Sequence, residues 1–500
     1  MKRVLVMLFY VFIYQYSHAQ NRTNVWELSY NPALDSLAYP ACGINFNSGK
    51  ADTFTTYSTM SFYTTDASIC DTNGNLLFYT NGIFVANKNN DTLLNSANFD
   101  TGWATTFYGS GGLGIDQGAV IIPYPGQSTK YYIFYVNAVP INTNFDIQPL
   151  YLSYSIVDMN LGGGLGGIIA NKKNIHLIND TLTLGMVTVV KHANGRDWWI
   201  IAHRYNSNTY YKLLITPDSI YGPYKQDIGS IISLGADGDG QVAFSPDGSK
   251  FAMLDELNIL DFMDFDRCTG DFYNTETINV PKDSSLTEGC QFSPDSRFLY
   301  VNSRATLFQY DTWASNIANS AIKIAVWDTF SDPIYKIPTL FNMEQLAPDG
   351  KIYMSTWNSS KYLNRINNPD SLGVACNFTQ DSTFVLPQYN LNIPSFPTYD
   401  LGALSGSPCD TLNGIKQVSV NTTQLSIFPN PTFNQLNIIY NISQQCTLEL
   451  FDVLGREVMR LTLYPYFKSR ILDVTGLTAG MYELRLITGN EEAVKKFVKE

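Results

Sequence analysis

The sequence predicts an all-β chain, a β-propeller followed by a small immunoglobulin-like β-sandwich, and three observations carry that reading. Charged residues make up only 15% of the chain while Tyr (32) and Phe (29) are abundant, a composition that suits pleated, half-buried surfaces. Apolar residues recur at period two, and helix start signals are scarce. A turn signature also returns at a nearly constant interval along most of the chain.

In chain order, the first element is a leader. MKRVLVMLFYVFIYQYSHAQ has two cations (Lys2, Arg3), an apolar run from Val4 to about Tyr14, and a small-x-small end at Ser17-His18-Ala19. That pattern is a secretory signal peptide, residues 1–19, cut between Ala19 and Gln20. The apolar core falls short of the roughly 20 residues a membrane span needs. With Gln20 rather than Cys as the first mature residue, no lipid anchor is expected, and no later segment reads as a transmembrane span. Without Lys2 and Arg3 the chain holds 30 basic against 44 acidic residues, a formal excess of 14 negative charges, so nucleic acid is not an expected partner.

Residues 24–408 form the propeller region. VAFSPDGSKFAML (242–254), CQFSPDSRFLYVN (290–302) and EQLAPDGKIYMST (344–356) share one pattern, an apolar alternation, a turn, then a second alternation opened by a basic residue. In the turns Pro246-Asp247-Gly248, Pro294-Asp295-Ser296 and Pro348-Asp349-Gly350, proline presets φ, aspartate bonds the backbone beyond it, and glycine accepts positive φ. Weaker copies occur at CDTNGNLLFYT, PYPGQSTKYYIFYV and KHANGRDWWIIAH. The turn residues Gly74, Gly126, Gly195, Gly248, Ser296 and Gly350 are 52, 69, 53, 48 and 54 residues apart. That period is near the roughly 40 to 50 residues of a four-stranded blade. The span holds seven such units, six of which show a turn signal; six blades is the alternative. VWELSY (25–30), pairing with a strand in 383–403, would complete the seventh and cover an exposed sheet edge.

Chemistry-bearing residues are few. Only His176, His192 and His203 remain in the mature chain, leaving little for a metal cluster or a Ser-His-Asp triad. Lys191, His192, Arg196 and Asp197 surround an Asn194-Gly195 turn, read as a polar hairpin end, with a binding loop at His192 and Arg196 as the sharper alternative. In GADGDGQVAF, Asp237 and Asp239 offer oxygens to calcium, but counting twelve from Asp237 reaches Gly248 rather than a bidentate acid, so no cofactor is expected. DFMDFDRCTGD (261–271) reads as a strand with an acidic face; as paired carboxylates it would suit a glycosidase. GSGGLG (109–114) and LGGGLGG (161–167) lack Gly-Lys-Ser/Thr and read as flexible connections. Seven scattered cysteines without a C-x-x-C pair permit one or two disulfides, unassigned.

After a polar linker (409–424), residues 425–500 alternate as strands around Phe428-Pro429-Asn430-Pro431, Leu454-Gly455-Arg456 and Thr478-Ala479-Gly480. The Ser-Pro-Asp-Gly hairpins resemble those of bacterial WD40-like propellers, including the TolB-type repeat, with Ser296 and Ala347 as departures. CDTNGNLLFYTNGIFVANKN, VVKHANGRDWWIIAH and LFQYDTW resemble blades of large secreted propeller proteins. The tail closely resembles the type A C-terminal sorting domain of type IX secretion. The matching pieces are Pro429-Asn430-Pro431, the run from Leu448 to Val458 with Asp452, Gly455 and Arg456, the run from Leu477 to Leu486 with Gly480 and Tyr482, and the basic end at Lys495 and Lys496. That resemblance implies export across the inner membrane by the leader and across the outer membrane of a Gram-negative cell by the type IX machinery, with release or surface attachment. Three functions fit: a non-enzymatic binding platform for a glycan or protein, which is the preferred reading; a secreted carbohydrate-active enzyme with carboxylates in the channel; and a structural part of the envelope or of surface motility. Fold alone does not choose among them.

Overall fold

The structure is a computed structural model and describes residues 21–30, 39–141, 147–232, 240–281, 283, 285–333, 336–410, 424–442, 444–465, 469–488 and 491–500. The cleavage point Ala19/Gln20, the Asp237 and Asp239 loop and most of the linker lie outside the described residues.

Among the described residues before the tail, seven antiparallel sheets follow one another, and each begins with a short strand. Their first strands are Val25–Glu27, Ala67–Cys70, Ala119–Pro123, Thr188–Lys191, Gly240–Phe244, Thr287–Phe292 and Phe341–Leu346. The fourth to seventh sheets are four-stranded meanders, such as Thr188–Lys191, Trp198–His203, Thr209–Ile215 and Ile220–Asp227. Each hairpin read from the sequence lies between the first and second strands of its sheet. Asp247 accepts from Ser249 N at 2.9 Å, Asp295 from Arg297 N at 3.0 Å and Asp349 from Lys351 N at 3.3 Å. Ser296 takes the glycine's place at φ 64° and uses its hydroxyl to accept from Asp247 N at 3.2 Å, tying the sixth sheet's turn to the fifth's.

Neighbouring sheets pack face to face through apolar residues. Trp199 and Tyr210 of the fourth meet Phe251 and Phe272 of the fifth, and Tyr300 of the sixth meets Phe341 and Met354 of the seventh. The seventh in turn packs on the first: Trp26 lies 5.7 Å from the Tyr353 ring, and Ile44 shares a core with Val385 and Tyr389.

The junction differs from the expected closure. Val25–Glu27 pairs with Tyr39–Asn45, and no backbone pairing joins 25–30 to 383–403 among the described residues. Instead residues 391–399 run between the seventh sheet and the second and third. Asn342 Nδ2 donates to Leu391 O at 2.9 Å, Ser395 N donates to Asp66 O at 3.1 Å, and the Tyr399 hydroxyl donates to Ile121 O at 2.6 Å. Pro394 and Pro397 lack the N–H groups that a ladder needs, so single bonds, two of them from side chains, supply the joints.

The tail holds a three-stranded sheet, Gln424–Phe428, Gln435–Asn441 and Ser469–Asp473. It also holds a four-stranded one in the order Glu457–Leu463, Cys446–Asp452, Gly480–Thr488, Glu491–Lys499. Leu436, Ile438, Leu450, Leu484 and Phe497 form the core between them. The disulfide is Cys268–Cys409, with Cα atoms 5.6 Å apart; Cys42, Cys70, Cys290, Cys376 and Cys446 are buried thiols.

Candidate functional site

The first strands of the sheets leave a cavity of about 160 Å³, lined by Gln117, Gln241, Gln291, Gln345 and residues 395–400 among others. Each first strand is an edge whose peptide groups face the middle, and glutamine amides pair with them. Gln117 donates to Val242 O at 2.9 Å and accepts from Val242 N at 2.8 Å. Gln241 donates to Glu344 O at 2.6 Å and accepts from Cys290 N and Glu344 N. Among the described residues, Asp400 is the one carboxylate lining this cavity. The buried carboxylates lie elsewhere: burial pushes Glu27 and Glu344 up to about 8, and Asp66 rises well above the usual range for the same reason.

The sharper alternative for His192 meets a committed ring. His192 is buried, Nδ1 accepts from Asn194 N at 3.1 Å, Nε2 lies 3.1 Å from Cys268 O, and burial lowers its basicity. Arg196 stays partly exposed, paired with Asp197 at 2.7 Å. Gly402–Ala403 covers the Asn194-Gly195 turn so closely that a Cβ on Gly195 would sit 2.4 Å from Ala403 N. The 261–271 aspartates are likewise bound within the protein, Asp261 to Ser230 and Thr277, Asp264 to Lys250, and Asp266 to the backbone of its own turn.

A surface feature that the sequence reading missed lies between the second and third sheets. Trp103–Tyr108 is a six-residue helix entering the GSGGLG run. Tyr63, Tyr108, Phe107 and Trp103 form a continuous row with centroids 5.8, 5.2 and 4.7 Å apart, the last pair stacked, and Phe107 is 66% exposed. The row is held from behind. Asn137 Nδ2 donates to Thr105 Oγ1 at 2.7 Å, and the Tyr108 hydroxyl donates to Gly114 O at 3.2 Å. The second half of the glycine run is packed, since a Cβ on Gly112 would meet Ser61 O at 2.7 Å and one on Gly114 the Tyr108 ring at 2.5 Å, whereas one on Gly109 would meet nothing. The usable signal was three aromatic residues, Trp103, Phe107 and Tyr108, within an uncharged stretch that ends in close-packed glycines.

At the tail, the motifs read from the sequence gather at one end of the two sheets. Asn430 donates to Lys496 O and accepts from Val498 N, Thr432 bridges Lys499, and Gly480 and Met481 pair with Lys499 and Val498. Asp452 accepts from Leu454 N and Arg456 N, bonds the Arg456 guanidinium, and stands across from Tyr482, while Gly455 takes φ 74°.

Residues 426–500 match the family described as the secretion system C-terminal sorting domain, and the chain therefore carries the type IX export tail that its motifs resemble. No curated protein matches the chain. Solved structures similar to it include the periplasmic gluconolactonase of Pseudomonas aeruginosa (11% identity, TM-score 0.40, 75% of this chain and 98% of that one). A putative 6-phosphogluconolactonase from Bacteroides uniformis is similar at 12% identity and TM-score 0.37, over 75% of this chain and 98% of that one. The β-propeller domain of Cps50 (Swd1) from Myceliophteria thermophila is similar at 10% identity and TM-score 0.34, over 67% of this chain and 93% of that one. No helix among the described residues is long and apolar enough to cross a membrane.

Proposed function

We propose that this chain is an exported binding module: a seven-bladed β-propeller that engages a neutral carbohydrate polymer at the cell surface or beyond it, delivered by an immunoglobulin-like sorting tail. The blade count is supported by the seven consecutive sheets and by the apolar contact of the seventh with the first. The observation that carries the function is the aromatic row Tyr63–Tyr108–Phe107–Trp103. Tyr63 and Phe107 are exposed while Trp103 and Tyr108 pack partly against the core; rings held rigidly by their neighbours lose little entropy on binding and offer flat apolar faces, which suit the C–H face of a sugar ring. The stretch from Thr101 to Ile115 contains no charged residue, favouring an uncharged, hydroxyl-rich ligand over an ionic one. A sorting tail places such a surface where polysaccharides are met.

The test is retention of the mature chain on immobilised neutral polysaccharides. Phe107→Ala, which removes the most exposed ring of the row, is expected to lower retention about fivefold, the effect of losing one ring contact worth about 1 kcal/mol, without changing the melting temperature. Failure of the unaltered chain to bind any of them removes the reading, and soluble sugar released on incubation would favour the enzyme alternative.

A further inference from the structure

The sorting tail is gripped by the propeller at one end and bare at the other. Chain topology alternates the strand ends, so the starts and finishes of its strands divide into two opposite ends. At one of them Tyr464 lies 5.5 Å from the Tyr224 ring, Ser469 Oγ is 3.1 Å from Cys268 Sγ of the disulfide, and Arg470 reaches Asp271 at 3.1 Å. That end is spent on the protein's own propeller.

The opposite end collects the turn after Phe428, the Asp452–Arg456 turn, and the start of Gly480–Thr488 beside the finish of Glu491–Lys499. It exposes large apolar side chains: Leu454 at 73%, Val453 at 72% and Phe433 at 64%, with Phe428, Met481 and Val498 also exposed. Their backbones are pinned by the Asn430, Asp452 and Thr432 bonds, so the tip is a shaped surface rather than loose ends. The one charged pair in its turns, Asp452 with Arg456, is self-neutralised. The broad outer face of the four-stranded sheet is the reverse, laced with Arg460–Glu449, Arg485–Glu483 and Lys496–Glu483 pairs that disfavour an apolar partner.

We propose that this distal tip, centred on Phe433, Val453 and Leu454, is the surface gripped by the outer-membrane export machinery, and that the machinery presents an apolar socket to it. The proposal rests on the tail being a sorting domain; it adds which end is read and by what chemistry. Grouped exposed apolar side chains mark an interaction site, and here the family match spans every turn of the tip while the propeller covers the other end.

The test is made in a cell that exports the full chain. Phe433→Ser, Val453→Ser and Leu454→Ser together are expected to cut the exported fraction at least tenfold, with the protein retained in the periplasm and the purified variant melting as the unaltered chain does. Single Leu454→Lys, at a largely exposed site, guards against a folding defect and is expected to act in the same direction. Arg460→Ala with Lys496→Ala on the charged face is expected to export normally. Normal export of both tip variants overturns the proposal, as does conversion of a purified dimer to monomer by the tip variants while export continues. If deletion of 425–500 also leaves export intact, the sorting reading falls with it; if deletion blocks export and the tip variants do not, only the tip assignment fails.

Discussion

Glu344 shows how a single side chain can tie stability to pH. Its Oε1 accepts from Asn302 Nδ2 at 2.7 Å, while Oε2, Asn302 Oδ1 and Asn342 Oδ1 are buried oxygens without a donor among the described residues. Burial pushes this carboxyl up to about 8. An unfolded glutamate titrates near 4.5, so between 4.5 and 8 the folded state holds a proton that the unfolded chain has released. Stability from this group is therefore complete below about pH 4.5, declines as pH rises, and levels off above 8; Glu27, raised to the same value by burial, adds the same sign. Glu344→Gln keeps the shape, provides N–H donors and cannot ionise. We expect it to raise stability at pH 8 by on the order of a few kcal/mol and to change little at pH 4.5. Melting curves across that range check the point, and a parallel offset at every pH would show that ionisation is not the cause.

Between elements, the amide of Gln241 does work that strands do elsewhere. First strands sit too far apart around the middle to form a ladder, and this one side chain pairs with three backbone groups of the sixth and seventh sheets. Gln241→Leu fills the same space and strands Cys290 N–H, Glu344 N–H and Glu344 C=O; at about 1–3 kcal/mol for each orphan, a loss of roughly 3–9 kcal/mol is expected in denaturant unfolding. A loss below about 1 kcal/mol would mean that water replaces the amide. The contrast with the hairpins marks what was legible. Pro246-Asp247-Gly248 and its relatives encode a turn within four residues, so six first hairpins could be read from local chemistry. The closing segment 391–399 could not, because its partners Asp66, Ile121 and Asn342 are remote in sequence and its bonds are not periodic. The helix Trp103–Tyr108 was equally hidden: Gly102 stands at its N-cap without a side-chain bond, and tertiary contacts hold it, with Ala104 buried in the core and Asn137 donating to Thr105. The tail motifs were readable individually, whereas their gathering at one end needed the strand order.

At the scale of the whole molecule, the join between propeller and tail rests on Asp271. Burial alone would raise this carboxyl, but Lys212 at 3.0 Å and Arg470 at 3.1 Å outweigh it and hold the group below the usual aspartate range. The Lys212 side chain is almost wholly buried, so its cation has no solvent to fall back on. Removing the carboxylate leaves two cations facing each other at the junction, one from each body, a defect costing about 3–5 kcal/mol when such a network is buried. The disulfide Cys268–Cys409 acts differently: it fixes where the linker starts, but the segment before it is also held by Leu404 N donating to Ala193 O and by Arg267 donating to Gly402 O. Asp271→Ala should therefore release the tail, seen as faster hydrogen exchange in Ser469–Asp473 and as separate melting of tail and propeller, whereas reduction of the disulfide alone should leave the tail docked. Because Asp271 is held low, the junction of the unaltered protein should persist above about pH 4 and loosen only as pH falls through the depressed value. Unchanged exchange in Ser469–Asp473 after Asp271→Ala would show that Tyr224 against Tyr464, and not the ion triad, carries the join.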